Sequence, residues 1–282
     1  MTNNTTKNYS VVCQSVSKSD SAGNLPNEDY CLHDSDRAII SLADGAGGMG
    51  VFCGEWAKYV CNNLPDNPFF TIQDLNRWLD IVWEPFCDTY QPQAEQLNMS
   101  NKFLEEGSLC TLVAVWQMEP SVFQAVVYGD SVLLVYNKRK KKFTLNSMPD
   151  IKEFDNLPHL LNWKYPATED GFKSFHFNLR TDEIILLASD ALAQYLLLAN
   201  ALITGHPDFT NMMNSGSKLS GITANMVRMG ILDNSNLKDI LIPILHSLKH
   251  PQKFIIQTNY LLKTGLLIND DYSLIAVNLN ND

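Results

Sequence analysis

Two groups of strands separated by long helical stretches predict an α+β protein with mostly antiparallel pairing. Three observations support this. Strand-like apolar runs crowd the first 45 residues and recur between 108 and 145. Helix-period apolar residues fill 54–97 and 191–265. Several strand pairs are joined by connections too short for a parallel crossover.

In chain order, 11–16, 29–33 and 38–43 read as strands, the last two as a hairpin across the short polar stretch from His33 to Arg37. Residues 54–64 and 72–97 follow as helices, the second with Leu75, Trp78, Leu79, Val82 and Trp83 at helical spacing. Strands are expected at 108–116, 122–128 and 132–136. A basic turn, Lys138-Arg139-Lys140-Lys141-Lys142, then leads to a return strand at 143–145. A run of five cations on a hairpin tip is ordinarily a solvated turn. Residues 149–175, rich in Pro, Asp and aromatics, predict an irregular excursion. A strand at 184–189, helices over 191–265 and a last strand at 272–279 complete the chain. His246 and His250 are four apart, but Pro251 makes a helix end a better reading than a metal pair.

Composition narrows the function. The chain has 282 residues, 45% of them apolar, enough to bury a core without staples. Residues 8–282 are expected to form one domain. The net charge of −10 disfavours nucleic-acid binding. The N-terminus lacks a secretory pattern. The most apolar stretch, 184–203, contains Asp190 and Gln194 and makes a poor membrane span. The six cysteines form no CxxC pair and read as reduced thiols. A cytoplasmic, monomeric protein without membrane or nucleic-acid partners is the expectation.

The candidate site comes from strand ends. In the predicted hairpin, Glu28 and Asp29 open one strand while Asp44-Gly45 closes its neighbour, so they share an edge. The strand at 184–189 ends at Asp190, and the final strand starts after Asp270-Asp271. Antiparallel pairing of those two strands would bring Asp190 and Asp270 together. Like charges at close range must protonate or find a cation. An all-oxygen donor set points to Mg²⁺ or Mn²⁺. Two such ions can clamp a phosphoryl group and activate water. The glycines after Asp44 would let backbone approach the ligand. Each element alone is weak, since Asp favours turns in any case.

The ordered set is more specific. Asn27-Glu28-Asp29, Asp44-Gly45-Ala46-Gly47-Gly48, Gly54-Glu55, Gly107-Ser108, Gly129-Asp130-Ser131, Ser189-Asp190-Ala191-Leu192 and Asp270-Asp271-Tyr272-Ser273 occur in that order. The chain resembles the metal-dependent type 2C (PPM-type) serine/threonine protein phosphatases of bacterial type over about residues 10–280. The resemblance implies an α-β-β-α sandwich of two mainly antiparallel sheets flanked by helices. It implies two Mn²⁺ or Mg²⁺ ions, with Asp44 bridging them, the Gly45 carbonyl on one, and Asp190 and Asp270 on the other. Glu28 and Asp29 would hold metal-bound waters or orient the nucleophile. The implied reaction is attack of a metal-bridging hydroxide on a phosphoserine or phosphothreonine of a phosphoprotein.

The chain departs from the family pattern in places. Asn24 stands where many relatives carry a phosphate-gripping Arg, and Ala191 replaces a glycine. Gln194 and Asn146 stand where relatives carry acids, so a third metal site is expected to be weak or absent. No histidine follows Asp44-Gly45. The excursion at 149–175 falls where the family has its substrate-facing flap, and Trp163 is expected to belong to that flap's own core. An active protein phosphatase is the first reading, because a carboxylate cluster destabilises a metal-free fold and has no use without catalysis. A pseudophosphatase acting as a binding module is the second, and a phosphatase for small phosphoesters the third.

Overall fold

The computed structural model describes residues 9–20, 23–205, 219–231 and 236–279. Parts of the helical stretch expected at 191–265 lie outside these residues. Two five-stranded sheets stack with helices on both outer faces. The first five strands in chain order are β1 (Tyr9–Val16), β2 (Ser19–Asp20), β3 (Gly23–Asn24), β4 (Tyr30–Asp34) and β5 (Ile39–Ala43). Helices α1 (Cys53–Asn62), α2 (Ile72–Gln96) and α3 (Ser100–Glu106) follow. Next come β6 (Leu109–Cys110), β7 (Leu112–Glu119), β8 (Val122–Tyr128), β9 (Val132–Asn137) and β10 (Lys142–Asn146). The short β11 (Leu161–Asn162) precedes β12 (Phe172–Asn178) and β13 (Glu183–Ala188). The chain then forms α4 (Asp190–Thr204), α5 (Ser220–Arg228), α6 (Leu237–Ser247), α7 (Pro251–Lys263) and β14 (Tyr272–Leu279).

One sheet has the order β1-β14-β13-β9-β10 and the other β12-β8-β7-β5-β4, and every pairing within them is antiparallel. Residue alternation explains the stacking. Ile40 and Leu42 of β5 meet Ile185 and Leu187 of β13 and Ile275 and Val277 of β14 between the sheets. Their neighbours Ile39 and Ala43 turn outward to Trp56 of α1 and Leu75 of α2. Ile184, Leu186 and Ala188 turn the other way, onto α4. Strands covered on both faces read as unbroken apolar runs. The same burial explains the apolar surroundings of α4, which packs between sheet and outer helices. No helix among the described residues is long and apolar enough to cross a membrane.

Three local expectations change. The irregular excursion ends sooner than expected, because Phe172–Asn178 forms an edge strand paired to β8. The strand expected at 108–116 is broken at Thr111, whose N–H donates to the carbonyl of Asp44 (2.8 Å). A further short helix, α3, buries only Phe103. His246 lies in the last turn of α6, and His250 caps α7 just before Pro251.

Candidate metal centre

Strand register brings the acids together. Tyr30 pairs with Ala43, so Asp29 and Asp44 leave the same edge of one sheet. In the other sheet Ala188 pairs with both Val132 and Leu274, which places Asp190 beside Asp130 and the residues preceding β14. The Ser189 N–H donates to the Ser273 carbonyl (3.0 Å), closing this edge. Both sheets therefore deliver carboxylates to one end of the sandwich.

Asp29 is 7% exposed, and among the described residues neither of its carboxylate oxygens has a hydrogen-bond partner. Burial pushes its pKa up to about 7; the hydroxyls of Ser273 and Ser189 offset part of the rise and the Asp271 charge adds to it. Those hydroxyls have other engagements. Ser273 Oγ lies 2.7 Å from Ser15 Oγ, and Ser189 Oγ accepts from the Ser273 N–H (2.9 Å). Burial, then the charges of Asp29 and Asp190, raise Asp44 well above the usual carboxylate range. Burial, then Asp130 and Asp270, do the same to Asp190. Its Oδ1 is buried and unpartnered, while Oδ2 accepts from the Gln194 amide (3.3 Å). Asp190 opens α4, where the helix dipole favours a negative charge.

The two acids before β14 divide their work. Asp271 is 3% exposed and accepts from the backbone N–H groups of Lys18 (2.7 Å) and Glu28 (2.9 Å). It ties the loop after β1 to the start of the β4 hairpin. Asp270 remains partly exposed beside it and accepts the Asp271 N–H through Oδ1 (2.9 Å).

Lys18 enters this cluster as a cation. Its ammonium lies 3.0 Å from Glu28, 3.6 Å from Asp270 and 3.8 Å from Asp271. Burial alone would lower its basicity, but the three carboxylates override that and raise it.

Two glycines of the opening loop are set by crowding. A Cβ on Gly45 would meet the Cys53 carbonyl and the Glu28 oxygen at 2.7 and 2.8 Å, and the Gly45 N–H donates to that Glu28 oxygen. The Gly45 carbonyl accepts from the Gly47 N–H (3.0 Å). A Cβ on Gly47 would overlap the Glu28 carboxylate. These glycines let the acidic strand end and the loop occupy the same small space.

The excursion borders the site. The His159 backbone packs against Gly129, and a 140 Å³ cavity runs from Asp130 under Glu153, His159 and Lys173. Trp163 is a packing residue: its ring stacks near Trp83 (6.2 Å) and Phe103 (5.1 Å), and its Nε1 donates to Ser108 Oγ (3.3 Å). Tyr165 is exposed.

The six residues expected at the site separate into two sets. Asp29, Asp44 and Asp190 form an electrostatically linked interior group, to which Asp270 contributes. Glu28 is turned to Lys18, and Gly45 is a packing position with a partly used carbonyl. Asp130 joins the interior group without having been expected there. Its signal was available, since it too follows an apolar strand that ends at this edge. Among the described residues, no group of three or more His, Cys, Asp or Glu is arranged to hold a metal ion. The donor chemistry nevertheless fits a hard cation: three buried carboxylate oxygens lack partners, and every acid of the interior group is an oxygen donor.

No family model matches the sequence, and no curated protein matches it. Solved structures do. A bacterial serine phosphatase is 13% identical over 96% of this chain and 98% of its own, with a TM-score of 0.51. PppA of Pseudomonas aeruginosa, a regulatory component of T6SS, is 15% identical over 96% and 97%, with a TM-score of 0.49. The catalytic domain of the serine threonine protein phosphatase PstP, in complex with 2 manganese ions, is 15% identical over 96% and 100%, with a TM-score of 0.44. The two face-to-face antiparallel sheets and their flanking helices give this chain the fold of the PPM-type serine/threonine phosphatases.

Proposed function

We infer that the protein is a metal-dependent phosphatase acting on phosphoserine or phosphothreonine in proteins. The observation that carries this reading is the delivery of Asp29, Asp44, Asp130, Asp190 and Asp270 to one end of the sandwich, with buried oxygens on Asp29 and Asp190 left unpartnered. Natural folds rarely leave such atoms unsatisfied without a ligand or function.

Asp44, Asp190, Asp270 and the Gly45 carbonyl would hold two Mn²⁺ or Mg²⁺ ions. When bound, such ions supply positive charge to the phosphoryl oxygens and acidify water. The chain's own residues do the rest. Asp29, with its acidity near neutrality, is placed to hold or accept a proton at its carboxylate. Glu28 lies against Gly47, where its position sets how closely the loop approaches the cluster. Gln194 occupies one oxygen of Asp190, in keeping with a weak or absent third site.

One observation favours a second reading, a binding module without turnover. The Lys18 ammonium already contacts Glu28, Asp270 and Asp271, and it neutralises part of the cluster without a metal.

Hydrolysis of a phosphothreonine peptide with and without Mn²⁺ separates the two. An active phosphatase releases phosphate only with the metal, and Asp190→Ala abolishes release. A folded protein that binds Mn²⁺ but turns over neither the peptide nor a nucleotide would leave the binding-module reading. Turnover of the nucleotide alone would assign small phosphoesters as the substrate.

A further inference from the structure

A second feature lies at the opposite pole from the acids. A 480 Å³ cavity opens where the edges of the two sheets meet, lined by Lys140, Lys142, Phe143, Leu145, Phe177 and Arg180 among others. The strand β13 runs from Glu183 at this cavity to Asp190 at the cluster, so the two places are separated by roughly 20 Å.

Three properties converge here. The first is charge. Six of the chain's 21 Lys and Arg residues, 138–142 and Arg180, gather at this pole of a protein whose net charge is −10. Arg139 is drawn to Asp182 (3.5 Å) and the Lys138 ammonium donates to the Thr181 carbonyl (2.8 Å). Lys140, Lys142 and Arg180 are exposed and make no ion pair among the described residues. Of the two local acids, Asp182 is engaged by Arg139, and Glu183 is buried and saturated by Asn137, Thr144 and the Arg180 N–H.

The second property is backbone. Among the described residues β10 ends its sheet and pairs only with β9, so its outer side presents peptide groups that none of them pairs with. The third is an apolar floor of half-buried Leu145 and Phe177, which pack onto the core between the sheets, with Phe143 also lining the cavity. Lysines on an edge strand commonly guard against self-pairing. The same lysines attract a strand of opposite charge.

We propose that this edge is a docking site for an extended acidic segment of a partner protein, which adds to β10 as a strand, sets apolar side chains into the cavity and pairs its carboxylates with Lys140, Lys142 and Arg180. Strand addition takes affinity from main-chain hydrogen bonds and specificity from side-chain pockets. Charge complementarity selects the acidic partner. The site does not depend on catalysis, so its failure and that of the phosphatase reading are separate outcomes.

The test is fluorescence anisotropy at low ionic strength, using the full chain and a labelled peptide of about ten alternating Glu and Val residues. Hydrogen exchange on the same complex reads the location. Saturable binding, protection of residues 142–146, and a loss of about tenfold or more in affinity for the exposed-site variant Lys140→Glu/Lys142→Glu would support the proposal. A Lys140→Ser/Lys142→Ser variant should show an intermediate loss and controls for misfolding by charge reversal. Binding unchanged in both variants, protection elsewhere, equal binding of a Lys-Val peptide, or displacement by inorganic phosphate beyond its ionic-strength effect would each overturn it. So would the absence of binding.

Discussion

Asp44→Asn is expected to abolish metal-dependent phosphate release while making the metal-free protein more stable. Asparagine preserves the side chain's shape, and the backbone ties of this residue, from its N–H to Thr111 Oγ1 (3.1 Å) and from the Thr111 N–H to its carbonyl, are untouched. What disappears is a carboxylate raised by burial and by the neighbouring charges of Asp29, Asp190, Asp130 and Asp270. Without a cation this charge is a cost, so its removal should stabilise the metal-free fold by about 2 kcal/mol above neutral pH. With substrate and Mn²⁺ present, loss of the proposed metal ligand should reduce turnover by at least about 10³-fold. Opposite signs in the two assays are the signature. A variant that lost both stability and activity would show Asp44 to be a structural residue instead. The checks are thermal unfolding in chelator and steady-state phosphate release.

The second large effect is on pH. Asp29 in the folded protein holds its proton to about 7, against 3.8 for the unperturbed group. The native state therefore binds a proton that the unfolded chain has released, and stability falls as pH rises through this window. Between about pH 5 and pH 7 this one residue removes roughly 2 kcal/mol, and the loss levels off above the folded value. Asp44 and Asp190 shift in the same direction. The melting temperature in chelator should thus drop by roughly 5–10 °C from pH 5 to pH 8. Asp29→Asn should flatten this decline, and Mn²⁺ should reverse it in the wild-type protein. A metal-free protein with a level or rising profile over this range would contradict the assignment of Asp29 as a buried, unpaired acid.

Sequence pattern made most of the sandwich legible, because strands covered on both faces write continuous apolar runs such as Ile184 to Ala188. Strand ends were legible for a related reason: Asp44 and Asp190 each interrupt such a run at once. The edge strand β12 was harder, since Phe172, Phe175 and Phe177 alternate with exposed Ser174 and His176 inside a stretch otherwise rich in loop residues. The helix α3 has seven residues and one buried anchor, too few to establish a period.

At the site, local pattern could not divide Asp270 from Asp271. That division depends on backbone N–H groups of Lys18 and Glu28, which are distant in sequence. Lys18 itself was invisible for the same reason. A long side chain from a loop reaches three acids contributed by other segments, and no spacing rule encodes that reach. Gly45 illustrates a different point. Its position was read as one where the backbone carbonyl approaches a metal, and the backbone of Cys53 and Glu28 adds a packing reason for glycine, since it fills the space where a side chain would go.

The central claim is that the strand-end acids form a divalent-cation centre, and calorimetric titration of the metal-free protein with Mn²⁺ tests it most directly. The account predicts saturable binding of two ions per chain, with heat lost in Asp44→Asn and Asp190→Ala and with an accompanying rise in melting temperature. Absence of binding by a folded wild-type chain, or binding that survives both substitutions, would contradict it.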